Sequence, residues 1–373
     1  MKWIFWGSAC VIVYTYFGFV GWLWVRSHWH RRPVSRGPYA PPISIVMVVR
    51  NEANHVESKL RNLLGLNYPG DLVEIVVASD GSTDSTNEIL SEHAKIPRVR
   101  VIFLAPSRGK AAGLNDAIAI ARGEIIVFTD VRQKIEPDAV RLLLENFADA
   151  TVGCASGELM LGDPDSGETA RGMGLYWRIE KRIREWEAAS GSVVGATGAI
   201  YAARRELLVR LPEETILDDV YIPMHVVRQG ARVVFDPRAR AWDAPDLGKD
   251  REFARKVRTL SGNYQLLQLA PWLLTSDNPL RFEFVSHKVL RLVVPFALAI
   301  ALITSVLVVQ PLYRVAFGLQ IAFYALSLLT LAKPRNGPLA HLSDAALTFI
   351  VLNSAAVVAF ANFIGGRKAV WVR

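Results

Sequence analysis

The 373-residue sequence predicts an α/β protein, in which a Rossmann-like, mostly parallel sheet domain is joined to α-helical membrane segments. Two observations carry this expectation. From about Pro41 to His287, short β-rich runs alternate with helical runs, the pattern of a parallel sheet covered by helices. Outside that block, uncharged apolar stretches reach the length needed to cross a bilayer.

Trp3 to Val25 contains no charged residue and as a helix would extend roughly 35 Å. Lys2 alone precedes it, and Trp and Tyr recur throughout, which favours an anchor over residues 1–26 rather than a cleaved signal peptide. Arg26, Arg31, Arg32 and Arg36 follow directly, so this end belongs on the cytoplasmic side. A linker over residues 27–42 ends in Gly37-Pro38-Tyr39-Ala40-Pro41-Pro42, stiffened by its prolines. Three more spans are expected at Leu292–Val309, Val315–Ala332 and Ala345–Ile364, giving an interfacial segment over 271–291, a membrane block over 292–364 and a tail over 365–373. Lys333 and Arg335 put the end of the third span on the cytoplasmic side, whereas Arg367, Lys368 and Arg373 then fall on the disfavoured side, so the orientation of the last span stays open. The net charge of +8 is read as a membrane-flank signature, because no basic-aromatic motif points to nucleic acid. Cys10 lies in a span and Cys154 in a strand-like run, a pair that makes no disulfide framework and fits a reducing cytosol.

In the soluble block, ISIVMVV (43–49), VEIVVAS (73–79), VRVIFL (99–104) and EIIVFTD (124–130) are near-continuous apolar runs, as strands buried on both faces should be. Helical runs over Ala53–Leu66, Thr83–Ala94 and Lys110–Ala121 separate them. The strands end at Arg50-Asn51-Glu52, at Asp80 and at Asp130, which gathers acids at the sheet edge where open α/β folds bind ligands. No GxGxxG follows the first strand and no GxxxxGK[ST] is present, so neither a dinucleotide fold nor a P-loop NTPase has its phosphate cradle. Ser82 and Thr83 are expected to cap the following helix, and Asp84 is open between capping and the site. Residues 169–191 read as an amphipathic helix carrying Trp177, Ile183 and Trp186, open between covering an acceptor, meeting lipid head groups and packing on the core.

In chain order, VVRNEA (48–53), SDGSTD (79–84), GKAAGLN (109–115), FTD (128–130), GATGAIYAARRE (195–206), LDD (217–219) and RKVRTLSGN (255–263) resemble the membrane-embedded family 2 glycosyltransferases of GT-A fold, such as the cellulose, chitin, hyaluronan and poly-N-acetylglucosamine synthases. The resemblance runs over nearly the whole chain and implies a cytosolic catalytic domain over 43–270. It implies that Asp80 accepts a hydrogen bond from a uracil ring, that Asn51 and Glu52 line the base and ribose pocket, and that Lys110 lies near the donor. Asp130 would hold Mg²⁺ or Mn²⁺ on the donor diphosphate. The family's Asp-x-Asp is here Asp130-Val131-Arg132; one carboxylate plus substrate phosphate can suffice for Mg²⁺, with Gln133 as a further oxygen or Arg132 as a substitute charge.

Asp219 stands where the family has the last acid of its Thr-Glu-Asp or Gly-Asp-Asp motif, which implies the general base, with Asp218 in support. Adjacent buried carboxylates raise a pKa toward useful basicity. Arg255 and Arg258 are placed by the resemblance against the leaving diphosphate. The family's Gln-x-x-Arg-Trp reads Arg255-Lys256-Val257-Arg258-Thr259 here, and without the Trp stacking platform the expectation shifts from processive synthesis to short-chain or single-sugar addition.

The implied activity is inverting transfer from a nucleotide sugar, with a UDP-sugar first in order, to a hydroxyl of a lipid-linked or polysaccharide acceptor. It would occur at the cytoplasmic face of an integral membrane protein of a bacterial inner membrane, with membrane lipids as further partners and no nucleic-acid polymer. Two alternatives stand beside it: transfer onto a polyprenyl phosphate, and a non-catalytic sugar-nucleotide-binding scaffold for polysaccharide export.

Overall fold

The computed structural model describes residues 1–163, 168–169, 175–244, 249–332 and 337–366. Helices α1 (Lys2–Val13) and α2 (Phe19–Trp29) are joined through a π-helical turn at Tyr14–Gly18 into one continuous helix. The soluble block follows as β1 (Ile43–Val49), α3 (Ala53–Leu64), β2 (Val73–Asp80), α4 (Thr86–His93), β3 (Val99–Leu104), α5 (Lys110–Ile120), β4 (Ile125–Phe128), β5 (Lys134–Ile135) and α6 (Ala139–Leu144). Next come β6 (Val152–Asp163), β7 (Glu168–Thr169), α7 (Leu175–Ser190), β8 (Tyr201–Arg204), α8 (Asp218–Arg228), β9 (Arg232–Asp243) and α9 (Lys249–Leu269). The chain closes with α10 (Arg281–Phe284), a π-helical turn at Val285–Val289, α11 (Leu290–Leu307), α12 (Pro311–Leu328) and α13 (Pro338–Ile364).

The sheet order is β3-β2-β1-β4-β8-β6-β9-β5, with β7 paired to β6. The half made by β3, β2, β1 and β4 is parallel, as the apolar runs predicted. The other half is mixed: β8 runs antiparallel to both β4 and β6, and β5 antiparallel to β9. The sequence pattern missed this inversion because β8 is only four residues long and its small residues carry little strand signal.

Every residue of β1 is buried, and the two faces feed different cores. Val46 and Val48 join Val76, Ala78 and the α5 residues Ala111 and Leu114 on one side. Ile45, Met47 and Val49 join Val56, Leu60 and Leu63 of α3 on the other. Period-2 alternation into two helix layers is what a doubly covered strand requires. The linker is tied to the domain rather than free: Arg36 Nε donates to Asn146 Oδ1 at 2.9 Å and Tyr39 Oη to Glu124 Oε1 at 2.5 Å.

Three helices among the described residues are long and apolar enough to cross a membrane: Lys2–Trp29, Arg281–Leu307 and Leu339–Ile364. The place of the third expected span is helical as α12, but Arg314 and Gln320 dilute its apolar character and it is not among the three. The helix of the second span begins within the segment expected to be interfacial, so Arg281, Glu283, His287, Lys288 and Arg291 ride on its first turns. Lys333, Arg335, Arg367, Lys368 and Arg373, which bear on orientation, lie outside the described residues.

Candidate active site

The pairing of β4 with β8 sets Phe128 opposite Tyr201. The residues just beyond, Asp130 after one strand and Gly198 before the other, are thereby brought side by side. Asp218 and Asp219 open α8, where acids meet the positive end of the helix dipole. Lys110 is the first residue of α5. Its Nζ stands 2.9 Å from Asp130 Oδ1 and 3.0 Å from Asp218 Oδ1. The Gly198 N–H donates to Asp219 Oδ2 at 3.1 Å. A Cβ on Gly198 would lie 3.4 Å from Asp130 Oδ2 and 3.5 Å from Asp219 Oδ2, so the two carboxylates lie at van der Waals distance on either side of this backbone. Asp130, Asp218 and Lys110 thus line a narrow crevice with Val46, Leu114, Phe128, Gly198 and Tyr201, and Asp219 is tied to its wall through the Gly198 N–H.

The electrostatics separate the acids. Burial, followed by the Asp218 charge, pushes the Asp219 carboxyl up to about 6, against the opposing pull of Lys110. Burial alone would lower Lys110, but Asp130 and then Asp218 outweigh it and hold the ammonium above its ordinary range. Tyr201, which the sequence reading did not single out, stacks on Phe128 with ring centroids 4.5 Å apart. Burial, and then the charges of Asp218 and Asp219, raise its phenol well above the usual value, and among the described residues its hydroxyl has no hydrogen-bond partner.

The residues expected around the base form a separate hydrogen-bonded shelf. Asp80 is fully buried, and its carboxylate accepts bonds from Ser107 Oγ at 2.7 Å, Arg108 N at 2.7 Å and Gly109 N at 2.9 Å. In this conformation Asp80 therefore secures the loop that presents Lys110, and its oxygens face that loop rather than an open base pocket. Asn51, with φ of 54°, accepts from Thr83 N at 2.7 Å through Oδ1 and donates its own N–H to Ser82 Oγ at 3.1 Å. Glu52 Oε2 lies 3.0 Å from His55 Nδ1.

One expectation about this loop is corrected, and one open reading is resolved. Ser82 and Thr83 do not cap α4, which starts later, at Thr86; they cross-link the β1 and β2 loops instead. Asp84 serves as a double anchor, taking Ala53 N at 3.2 Å and Thr86 N at 3.0 Å. These local bonds favour turns over an early helix start. Gln133 Nε2 donates to Asp243 Oδ2 at 3.0 Å, and among the described residues its buried Oε1 has no hydrogen-bond partner.

Arg255 and Arg258 lie on α9, and Arg255 reaches to within 3.9 Å of Asp243. The helix is set against the segment leading into Asp218 by two contacts. Gln265 Oε1 accepts from Ile216 N at 3.0 Å, and a Cβ on Gly262 would stand 2.6 Å from Leu217 Cγ. Arg258 sits one turn before Gly262 on the same helix face. Gly262→Leu is expected to push α9 away from Leu217 and cost about 1–3 kcal/mol, read as a lowered unfolding midpoint in detergent; an unchanged midpoint would mean the contact is unimportant.

Lys59 is the second residue that sequence reasoning missed. It occupies the buried stripe of α3 with Val56, Leu60 and Leu63, and its Nζ donates to Thr129 Oγ1 at 2.8 Å and Gln133 O at 2.6 Å. Burial lowers it to about 7, with Asp130 and Asp243 acting against the shift. A lysine at an apolar helix position was the available signal. The helix expected at 169–191 is α7, and its Ile183 packs with Phe19 and Leu23 of α2. Trp177 is exposed, so the apolar face is docked on the N-terminal membrane helix.

Residues 44–211 match the family model described as Glycosyl transferase family 2. The chain is 25% identical over 216 residues to a probable glycosyltransferase YdaM of Bacillus subtilis, covering 54% of this chain and 50% of that protein. It is 24% identical over 208 residues to a β-monoglucosyldiacylglycerol synthase of Synechocystis, covering 54% and 43%. With a poly-β-1,6-N-acetyl-D-glucosamine synthase of Staphylococcus epidermidis it shares 24% identity over 234 residues, covering 62% and 56%. The chain thus spans about half the length of the curated relatives it matches. Among solved structures, a mannosyltransferase from Pyrobaculum calidifontis in complex with GDP-Man and Mn²⁺ superimposes with a TM-score of 0.75 at 22% identity, over 98% of this chain and 100% of that one. That likeness shows the GT-A fold with its attached helices.

Proposed function

We propose, from the premise that this chain carries a Glycosyl transferase family 2 domain, that it transfers a sugar from a nucleotide sugar to an acceptor hydroxyl at the cytoplasmic face of a membrane. The observation that carries the reading is the convergence of Lys110, Asp130, Asp218 and Asp219 around Gly198, with one carboxyl raised to about 6. A general base works best with a pKa near the operating pH. The acceptor hydroxyl gives its proton to Asp219 as its oxygen bonds to the anomeric carbon; the bond to the diphosphate breaks, and the nucleoside diphosphate leaves with the electron pair. This is a single displacement and inverts the anomeric centre. Arg258, which among the described residues makes no hydrogen bond or ion pair, meets the charge that develops on the departing diphosphate. Retention of this cluster favours catalysis over a scaffold.

The donor set fits a divalent ion held jointly with substrate. Asp130 keeps 40% of its side chain exposed, and its Oδ1 is the oxygen taken by Lys110, leaving Oδ2 open. Among the described residues no group of three His, Cys, Asp or Glu could hold an ion unaided, so the remaining ligands would be diphosphate oxygens and water, as Mg²⁺ commonly arranges them. Bound there, Mg²⁺ or Mn²⁺ supplies positive charge to the diphosphate. Chelation is expected to lower transfer at least about tenfold, with recovery on adding Mn²⁺ or Mg²⁺; full activity in chelator would remove the ion from the account.

For the donor, UDP-sugars come first on the family resemblance and GDP-mannose second on the fold neighbour. The test offers both to the enzyme in native lipid and reads products by mass spectrometry, with Asp219→Asn as control. One glycosylated lipid or glycan formed by the native chain and not by the variant supports the reading. Nucleotide binding without turnover of any sugar would favour a scaffold.

A further inference from the structure

The crevice has two walls, and one buried lysine is tied to both. Thr129, which lines the crevice beside Asp130, receives the Lys59 ammonium on its Oγ1 at 2.8 Å. The same Oγ1 lies 2.8 Å from Ala199 O and 3.2 Å from Asp130 O. A hydroxyl has one hydrogen to give. With Lys59 donating to the oxygen, that hydrogen is directed to the shorter contact, and a relay runs from Lys59 through Thr129 to the Ala199 carbonyl. Next to Ala199 stands Gly198, whose N–H holds Asp219 Oδ2 at 3.1 Å. The backbone pairing of β4 with β8 ends at Phe128 and Tyr201, so the Thr129 bond extends it by a side chain up to the level of the acids.

Two observations separate this duty from ordinary packing. Lys59 lies in the buried stripe of α3 with Val56, Leu60 and Leu63, where a methionine or leucine would fill the space without the desolvation that an ammonium suffers there. Its hydrogen-bond partners are one hydroxyl and one carbonyl, both on the segment that carries Asp130, and the charges of Asp130 and Asp243 act on it as well. The bond to Gln133 O, at 2.6 Å, closes the turn over residues 129–133 with Asp130 inside it. The far end of the loop is secured independently. Ile135 pairs with Ala241 of β9, and Asn62 of α3 exchanges two bonds of 2.8 Å with the Ile135 backbone. Among the described residues, the only hydrogen bonds from α3 to the acid-bearing end of this loop are those of Lys59.

On the reading given under Proposed function, we propose that Lys59 is a positioning residue: through Thr129 it sets the spacing between the Asp130 wall and the Gly198 wall of the crevice, and so the alignment of Asp219 with the diphosphate end of the donor. Lys59 itself touches neither donor nor acceptor. Without it the Thr129 hydroxyl is free to turn toward Asp130 O, the bond to Ala199 O is no longer enforced, and Asp219 loses its fixed reference to Asp130.

Transfer rates are compared in the full chain for Lys59→Met, Thr129→Val, Thr129→Ser and Asn62→Ala, alongside unfolding midpoints in detergent. Lys59→Met and Thr129→Val are each expected to lower kcat about 10- to 100-fold with the donor KM held within about twofold. Thr129→Ser, which keeps the hydroxyl, is expected to recover most of the rate, and the Thr129 pair keeps the test decisive should Lys59→Met fold poorly. The two losses should not multiply: Lys59→Met combined with Thr129→Val is expected to be no slower than either alone. Asn62→Ala is expected to lower the midpoint and leave kcat near the native value, the behaviour of a residue that only holds the loop. A Lys59→Met kcat that follows Asn62→Ala, losses that multiply in the double variant, or a raised donor KM at native kcat overturns the proposal. If the native chain transfers no sugar, the catalytic reading fails, and a crystal structure of Lys59→Met then decides the positioning role by itself. Parting of Thr129 Oγ1 from Ala199 O and of Gly198 N from Asp219 supports that role; both contacts kept at their native lengths overturn it.

Discussion

Asp219→Asn is expected to lower kcat by about 10²- to 10⁴-fold while the donor is still bound. The amide preserves the shape of the side chain and its acceptor for the Gly198 N–H, so the fold should survive, yet it cannot take a proton from an incoming hydroxyl. In the native chain the activity should rise with pH through about 6 and then level off, because the base works only when Asp219 is ionised. Single-turnover rates against pH check this; an acidic limb unchanged in Asp219→Asn would assign it to another group. The stability consequence has a definite sign. Asp219 titrates at about 6 in the fold against an ordinary 3.8, so the folded state holds a proton that the unfolded chain releases first. This contribution to stability is fully present below 3.8 and is lost as pH rises through about 6.

Lys110→Met is the second substitution with a large expected effect. It leaves Asp218, whose side chain is only 6% exposed, without its counter-ion, and removing one partner of a buried pair costs about 3–5 kcal/mol. Asp130 is more exposed, and its share of the loss is screened by solvent. The unfolding midpoint at neutral pH should therefore fall sharply and recover on acidification as the orphaned carboxylates take up protons. With the opposing ammonium gone, the Asp219 carboxyl should move further up, carrying the acidic limb of the rate profile with it. A variant with a native midpoint and a native limb would show that Lys110 does not neutralise this cluster.

The parallel half of the sheet was legible because β1, β2 and β4 are buried on both faces and so read as unbroken apolar runs. The far half was not, since β8 is short and rich in alanine and its direction depends on tertiary pairing. Asp130, Asp218 and Asp219 were visible as acids at strand and helix ends, but only the β4–β8 pairing reveals that Asp130 and Asp219 meet beside Gly198. Asp80 was visible too, yet sequence alone does not show that Ser107, Arg108 and Gly109 enclose it. Lys59 and Tyr201 were hidden because each sits on an otherwise apolar face; the Lys59 ammonium is fixed by Thr129, a partner distant in sequence, whereas the buried Tyr201 hydroxyl has no hydrogen-bond partner among the described residues.

The account stands on one arrangement, a base that takes the proton of an acceptor hydroxyl while that oxygen displaces the nucleotide in a single step. The most direct measurement is the anomeric configuration of the first product formed from a labelled nucleotide sugar, read by NMR. Single displacement predicts a configuration opposite to that of the donor; retention would require a second displacement and would contradict the role assigned to Asp219.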